Sequence, residues 1–471
     1  MSALEIAKQR SKRSSAWLLV GGVTAVNFML AAVSFLKDLS FAAYFGTSQA
    51  ADLVTTAFLL PEAVSYNLIA AVIGIAAVPE LSRRWQEKQY GMFLRSAVRM
   101  TLHVTLLMVA ALALLLLTKN HMFELFGYRS GSAEMGELER LYTLLLFSMP
   151  LFPVFAVGGA ALQAAGAFYV AAGGPILLNA MMLSAITLSW MGEFAEGDGA
   201  FAYAVSILIG AGGMALVVWA ALRRRLKLEA RLSFIEAWKR QDGEAAVTDK
   251  SLKASGGLTR VYRDVLPLLL LNLFSQALYA IERAIASNME PGTLAGLNYA
   301  YRIAQFPNWV FVAAVTAVLL PALSRSAAAG GSGEAVKPEL YRALKATLCL
   351  MLPSAAVLYF LREPIISLLF GRGAFDSHSV ALTSELLAGY SLSVIGQVVS
   401  VLCLRYFLAC GRLYGPAAVY LVSTVCTIAF DLLTVRSFGP AALGYGALCG
   451  WGLNALLMFI LVVRDSNNRS G

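Results

Sequence analysis

Ionisable side chains at Asp52, Glu62, Glu282, Arg283, Arg302, Arg405 and Asp431 fall inside long apolar stretches, and Lys37 and Asp38 close the first of them. A charge at bilayer depth costs a few kcal/mol even on lenient insertion scales, so each is a candidate for binding, proton transfer or gating. Arg302 stands out in "LNYAYRIAQFP" (Leu297 to Pro307), several residues from the expected outer end and flanked by Tyr299, Tyr301 and Gln305. Facing lipid is expensive there, so Arg302 is expected to face an interior cavity, where it binds substrate, gates, or pairs with Asp52 or Glu62. A guanidinium holds phosphate or carboxylate through a rigid fork, which favours an anionic substrate. A cation exporter presents carboxylates instead; this chain offers both signs, and charge alone leaves the choice open. Glu282 and Arg283, roughly 100° apart on a helix and near its outer end, read as side chains that snorkel to water or headgroups. Lys37–Asp38 reads either as an interfacial anchor or as a functional pair.

Other chemistries lack their residues. There is no P-loop and hence no ATP-driven pump, and His103, His121 and His378 show no HExxH-like spacing. The cysteines at 349, 403, 410, 426 and 449 form no CxxC pair and read as small packing residues. "LFGRGAFDSHS" gathers Arg372, Asp376 and His378 on a loop, but a turn closing the ninth apolar stretch explains it better than a catalytic cluster does. The chain is read as no enzyme and as binding no metal. No cofactor is expected beyond a coupling cation or proton, or the membrane potential itself.

The elements that must position these groups follow from composition. Of the 471 residues 59% are hydrophobic and 14% charged, and the mean hydropathy is +0.69. About twelve apolar runs of spanning length recur, with cores near 16–36, 50–79, 97–118, 141–164, 168–190, 201–222, 263–288, 294–321, 343–361, 381–409, 415–436 and 443–463. This predicts an all-α polytopic membrane protein. The net charge of +9 lies in the connections, where it sets topology; nucleic-acid binding is not expected. The basic "MSALEIAKQRSKRSSAW" lacks a small-residue cleavage site and reads as the cytoplasmic tail of a retained first helix. The basic segment beginning "RRRLKLEAR" follows span six and is expected to be cytoplasmic, as are both termini.

The chain also repeats itself. "PELSRR" from Pro79 and "PALSRS" from Pro321 lie about 240 residues apart, and Pro61 and Pro307 precede them in the same two spans. Each proline is expected to bend its helix and act as a hinge. Two six-helix lobes around a central cavity follow, 1–222 and 261–471, joined by a basic linker at 223–260. Both halves start on the same side of the membrane, so the repeat is parallel and the lobes are expected to rock against each other.

"FGTSQAADLVTTAFLLPE" resembles the signature near the start of the lipid II flippase (MurJ/MviN) family. "NLFSQALYAIERAIASNMEPGTLAGLNYAYRIAQFPNWVFVAAVTAVLLPALSRS", "LPSAAVLYFLREPIISLLFGRGAF" and "LLAGYSLSVIGQ" are similar to its later blocks. The family belongs to the multidrug/oligosaccharidyl-lipid/polysaccharide exporter superfamily. The resemblance implies alternating access around a cationic cavity, and movement of undecaprenyl-pyrophosphate-linked peptidoglycan precursor from the inner to the outer leaflet of a bacterial cytoplasmic membrane. It places Arg302, Lys37, Asp38 and Gln276 at the substrate, with Asp52 on the family's span-two aspartate. Asp52 and Glu62 are the candidates for ion or proton coupling. Membrane lipids, the lipid-linked glycan pyrophosphate and cell-wall synthesis proteins are the implied partners. The chain departs from the pattern at Ser65 and Tyr66, where the family carries arginines; at Ala70, Ala71 and Val72, where it carries a glutamate; and near Ala31, where it carries an arginine. It also holds about twelve spans where the family usually has fourteen. The alternatives are a flippase for another envelope glycan lipid, an exporter of small amphiphiles, or a non-transporting scaffold paralogue.

Overall fold

The computed structural model describes residues 3–129, 131–239, 258–309, 333–410 and 412–467, and every element in it is helical. Nine stretches among the described residues are long and apolar enough to cross a membrane, matching expected spans one, three to six and nine to twelve. The side chains of span seven are described only from residue 270 onward, and span eight leaves the described residues after Trp309. Span two is interrupted: α2 (Gln49–Leu60) gives way to a π-helical segment (Pro61–Ile69), and α3 (Ala70–Gln86) follows. Proline lacks the N–H that would bond one turn back, and a π turn absorbs the misfit. The same happens at the repeat-related proline. α10 (Thr293–Pro307) ends at Pro307, and Asn308 and Trp309 continue in π geometry. The second P-x-L-S-R, at Pro321, lies outside the described residues.

Contacts group the chain into two compact units that interleave in sequence. The first comprises Met1–Ser40, Pro61–Thr118 and Arg140–Val265. It holds most of α1 (Ala3–Phe45), the π segment, α3, the first part of α4 (Tyr90–Leu125), the second half of α5 (Ala133–Leu146), α6 (Leu151–Ala164), α7 (Phe168–Met191) and α8 (Glu196–Lys239). Small residues let these helices approach: a Cβ at Gly158 would lie 2.7 Å from Val218 Cγ1, and Trp219 Nε1 donates to the Val154 carbonyl at 2.9 Å. Packing of this kind replaces the hydrophobic drive that is absent between helices in lipid. The expected linker begins as helix, since α8 continues through "RRRLKLEAR" with Arg225 paired to Glu229 at 3.2 Å. At 44 residues it is roughly 66 Å long, about twice the hydrocarbon thickness.

The second unit comprises Phe41–Leu60, Lys119–Glu139 and Leu266–Gly471. Residues 41–60 and 119–139, from the first half of the sequence, pack here with most of α9 (Leu258–Ser287), α10, α11 (Gly333–Phe360), α12 (Arg362–Phe370), α13 (Ser377–Cys410), α14 (Tyr414–Phe438) and α15 (Ala441–Asn467). α13 and α15 touch backbone to backbone: a Cβ at Gly444 would lie 2.5 Å from the Leu386 carbonyl, and one at Gly396 would lie 2.6 Å from that of Trp451. The chain passes between units at Leu60–Pro61, where α-helix becomes π-helix.

Candidate functional site

α10 carries Arg302. Thr293, Leu294, Leu297, Tyr299, Ala300 and Ile303 are buried, and they hold the helix in the second unit. The remaining face reads Asn298, Tyr301, Arg302 and Gln305, at the three- and four-residue spacing of one stripe. Arg302 is half-buried on that stripe. Gln305 accepts from Asn308 Nδ2 at 3.0 Å, and the same amide donates to Gln397 on α13.

The start of α10 is fixed from outside the helix. Asp52, on α2, accepts the backbone N–H of Gly292 at 2.6 Å and that of Ala295 at 2.8 Å. These are N-terminal donors that a helix cannot satisfy internally, and the charge also suits the positive end of the dipole. Tyr299 Oη donates to the Gly46 carbonyl at 2.9 Å, and Thr47 Oγ1 meets Ser379 Oγ at 2.8 Å. Ala374 N donates to the Ala43 carbonyl at 2.9 Å. Residues 43–52 are thereby stitched to the loops that open α10 and α13. Asp52, expected as a coupling site, thus has each carboxylate oxygen engaged by a backbone N–H.

A cavity of about 130 Å³ lies within the second unit, between α9, α10, α13, α14 and α15. Gln276 lines it from α9 with Tyr279 and Glu282; Tyr301, Tyr390 and Asn454 contribute from the other helices. Arg302 is not among its lining residues; its neighbour Tyr301 is. Glu282 is 6% exposed and accepts from Tyr390 Oη at 3.1 Å. Arg283 is 1% exposed, with Cζ 3.3 Å from the Tyr279 ring centroid. Both are therefore interior residues and do not snorkel. Asp431, on α14, is fully buried with no hydrogen-bond partner on either carboxylate oxygen among the described residues. Glu282 and Asp431 are close enough to act on one another electrostatically, with Arg283 beside Glu282. The sequence marks Glu282, Arg283 and Asp431 as ionisable residues in spans, but nothing in it shows that they converge.

The other candidates belong to the first unit. Lys37 Nζ lies 2.7 Å from Asp38 Oδ1, and the residues are 5% and 8% exposed. The first helix runs on to Phe45, so the pair sits inside the helix and does not end it. Glu62 follows Pro61 on the π segment and is half-buried. Ser65 is fully buried and donates to the Met149 carbonyl at 2.5 Å, while Tyr66 packs edge-on against Phe152 at 5.1 Å. Positions that the resemblance marks for arginine are thus used for helix packing.

The "GRGAFDSH" loop is a cap. Asp376 Oδ1 accepts from the Ser379 backbone N–H and from Ser379 Oγ, each at 2.8 Å, at the start of α13. These hydrogen bonds hold the Asp376 carboxyl below the usual carboxylate range. Arg372 turns back to the Leu369 carbonyl at 2.6 Å, so the three residues form no reactive set.

Residues 41–468 match the family model described as Lipid II flippase MurJ. The chain is 25% identical over 458 residues to a probable lipid II flippase MurJ of Rhizobium meliloti (strain 1021), covering 94% of this chain and 79% of that one. A probable lipid II flippase MurJ of Rhizobium tropici is 26% identical over 464 residues, covering 95% and 80%. Among solved structures, a lipid II flippase MurJ in an inward closed conformation superposes with a TM-score of 0.74 at 20% identity, over 94% of this chain and 88% of that one. An inward-facing multidrug resistance MATE transporter of the MOP superfamily gives 0.72 at 15% identity, over 93% and 96%. At these identities the structural likeness speaks for the fold.

Proposed function

The chain belongs to the lipid II flippase MurJ family, and on that premise we propose that it moves an undecaprenyl-pyrophosphate-linked peptidoglycan precursor from the inner to the outer leaflet by alternating access. The observation that carries this reading is Arg302, half-buried on the polar stripe of an otherwise apolar α10. In this reading its fork grips the pyrophosphate while the prenyl tail stays in lipid. Lys37 contributes less than a free cation, because Asp38 already neutralises it at 2.7 Å. Gln276 offers hydrogen bonds from α9. Both termini are cytoplasmic in this scheme, and membrane lipids and cell-wall synthesis proteins are the partners.

Release to the outer leaflet requires Asp52 to give up the α10 terminus, and protonation of its carboxylate weakens that hold. Glu62 and the Glu282–Asp431 interior are further places where a proton or monovalent cation can drive the return step. The membrane potential supplies roughly 2.3 kcal/mol per charge per 100 mV to such a movement. Pro61 and Pro307 are the hinges.

Complementation of a strain depleted of its lipid II flippase tests the reading. The wild-type chain rescues growth, Arg302→Gln does not, and Arg302→Lys rescues partially. A wild-type chain that reaches the membrane, fails to rescue, and whose loss in its own host alters another surface glycan identifies a different cargo. Ser65 and Tyr66, packed where the family carries arginines, favour that outcome as the second reading.

A further inference from the structure

Among the described residues of the second unit, Arg283 is the most deeply buried cation, at 1% exposure. No carboxylate lies within ion-pair distance of it among the described residues. Its Nε and Nη2 donate to Asn298 Oδ1 at 3.1 and 2.9 Å, and Nη1 donates to the Tyr279 carbonyl at 3.2 Å. The guanidinium carbon Cζ lies 3.3 Å from the Tyr279 ring centroid and 5.7 Å from that of Tyr301. Glu282 beside it supplies a counter-charge only at longer range, and removing a guanidinium from water without a direct ion pair is expensive. An arginine kept on those terms is doing something that an apolar residue of its size cannot.

What it does is visible in where the fork lands. Asn298 sits one turn before Arg302 on the same stripe, and Tyr301 adjoins both. Two donors converging on one amide oxygen fix that oxygen in direction as well as in distance. They therefore set the rotation of α10 about its own axis. Such a brace is needed because the helix is weak on its far side, where Pro307 lacks an N–H and the backbone turns π at Asn308 and Trp309. Asp52 holds the other end, but a cap fixes where a helix starts and constrains its rotation less. One residue of slip turns the stripe by roughly 100°, which would carry Arg302 off its face.

We propose that Arg283 is a positioning residue: acting through Asn298, it sets the rotation of α10 that presents Arg302 to the anionic headgroup. This rests on the reading of Arg302 as the pyrophosphate-binding group. The test is binding of undecaprenyl pyrophosphate to the full-length protein in lipid nanodiscs, for wild type, R302Q, R283Q, R283K and R283Q/R302Q, with thermal unfolding run alongside. R302Q and R283Q are each expected to weaken binding by about tenfold, roughly 1.4 kcal/mol. R283K keeps the charge but loses the fork, and is expected to resemble R283Q in binding while unfolding closer to wild type. The double variant is expected to bind no more weakly than R302Q alone, because Arg283 acts through Arg302. Wild-type binding by R283K, or losses that multiply in the double variant, overturns the positioning role. Wild-type binding by R302Q instead overturns the anion-site reading itself, and the inference with it.

Discussion

The carboxylate of Asp52 lies 2.6 Å from the backbone nitrogen of Gly292, a residue 240 positions along the chain. Gly292 adopts φ of +90°, a left-handed conformation that glycine tolerates, and a Cβ there would approach Thr47 Cβ to 2.7 Å. The turn and the aspartate are matched: the turn points two N–H groups at one carboxylate, and the carboxylate makes the turn worth holding. Asp52→Ala strands both donors in a buried place, at about 1–3 kcal/mol each. Thermal unfolding in detergent should show a lower midpoint for Asp52→Ala, with Asp52→Asn between it and wild type. An unchanged midpoint for the alanine variant would remove the latch from the account.

What the sequence discloses here follows distance along the chain. Hydropathy finds the apolar spans because lipid selects every residue of a span on the same criterion. Proline at 61 and 307 announces an interruption because its defect is local. Rotation is a different matter. Arg302 is conspicuous as a charge, yet its helix is oriented by Asp52 and Arg283, on two other helices. Adjacent charges such as Glu282 and Arg283 look like a snorkelling pair until the fold shows Tyr390 and Asn298 taking one each. Lys37 and Asp38 mislead for the opposite reason. Charge at the end of an apolar run reads as an end, and only the continuing helix to Phe45 shows otherwise.

Ser65 makes a sharper case. Its fully buried hydroxyl bonds the Met149 carbonyl, and Tyr66 fills the neighbouring space against Phe152. Restoring the family's residue by Ser65→Arg therefore does not restore a cationic surface. It forces a large cation into packed helices, at about 3 kcal/mol or more. Size-exclusion profiles should show less folded protein than for Ser65→Ala, which loses about 1 kcal/mol. A Ser65→Arg protein as stable as wild type would show that this position opens toward water.

Asp376 predicts a pH dependence. Its folded carboxyl titrates below its unfolded value, because the ionised form accepts from the Ser379 N–H and hydroxyl. The stabilisation is thus present above the ordinary carboxylate range and is lost as pH falls through the lower, folded value. Asp376→Ala should cost about 1 kcal/mol at neutral pH, as other helix N-caps do. The gap between the two proteins should close on acidification. Unfolding midpoints taken across pH 7 to 3 report this directly, and a gap independent of pH would assign the loss to packing.

Pro61 sits where α2 ends, the π segment begins and the chain passes from one compact unit to the other. Alanine at 61 supplies the missing N–H, and an interior proline costs about 3 kcal/mol relative to alanine in a helix. Pro61→Ala should therefore unfold at the same or a higher temperature than wild type. A more regular helix at this point also removes the compliance a hinge needs. Stability and function should then part: midpoint preserved or raised, complementation of a flippase-depleted strain reduced. Pro307→Ala should behave alike, since Asn308 and Trp309 take up π geometry behind it. If both alanine variants complement at wild-type efficiency, the two prolines are packing features and the lobes hinge elsewhere.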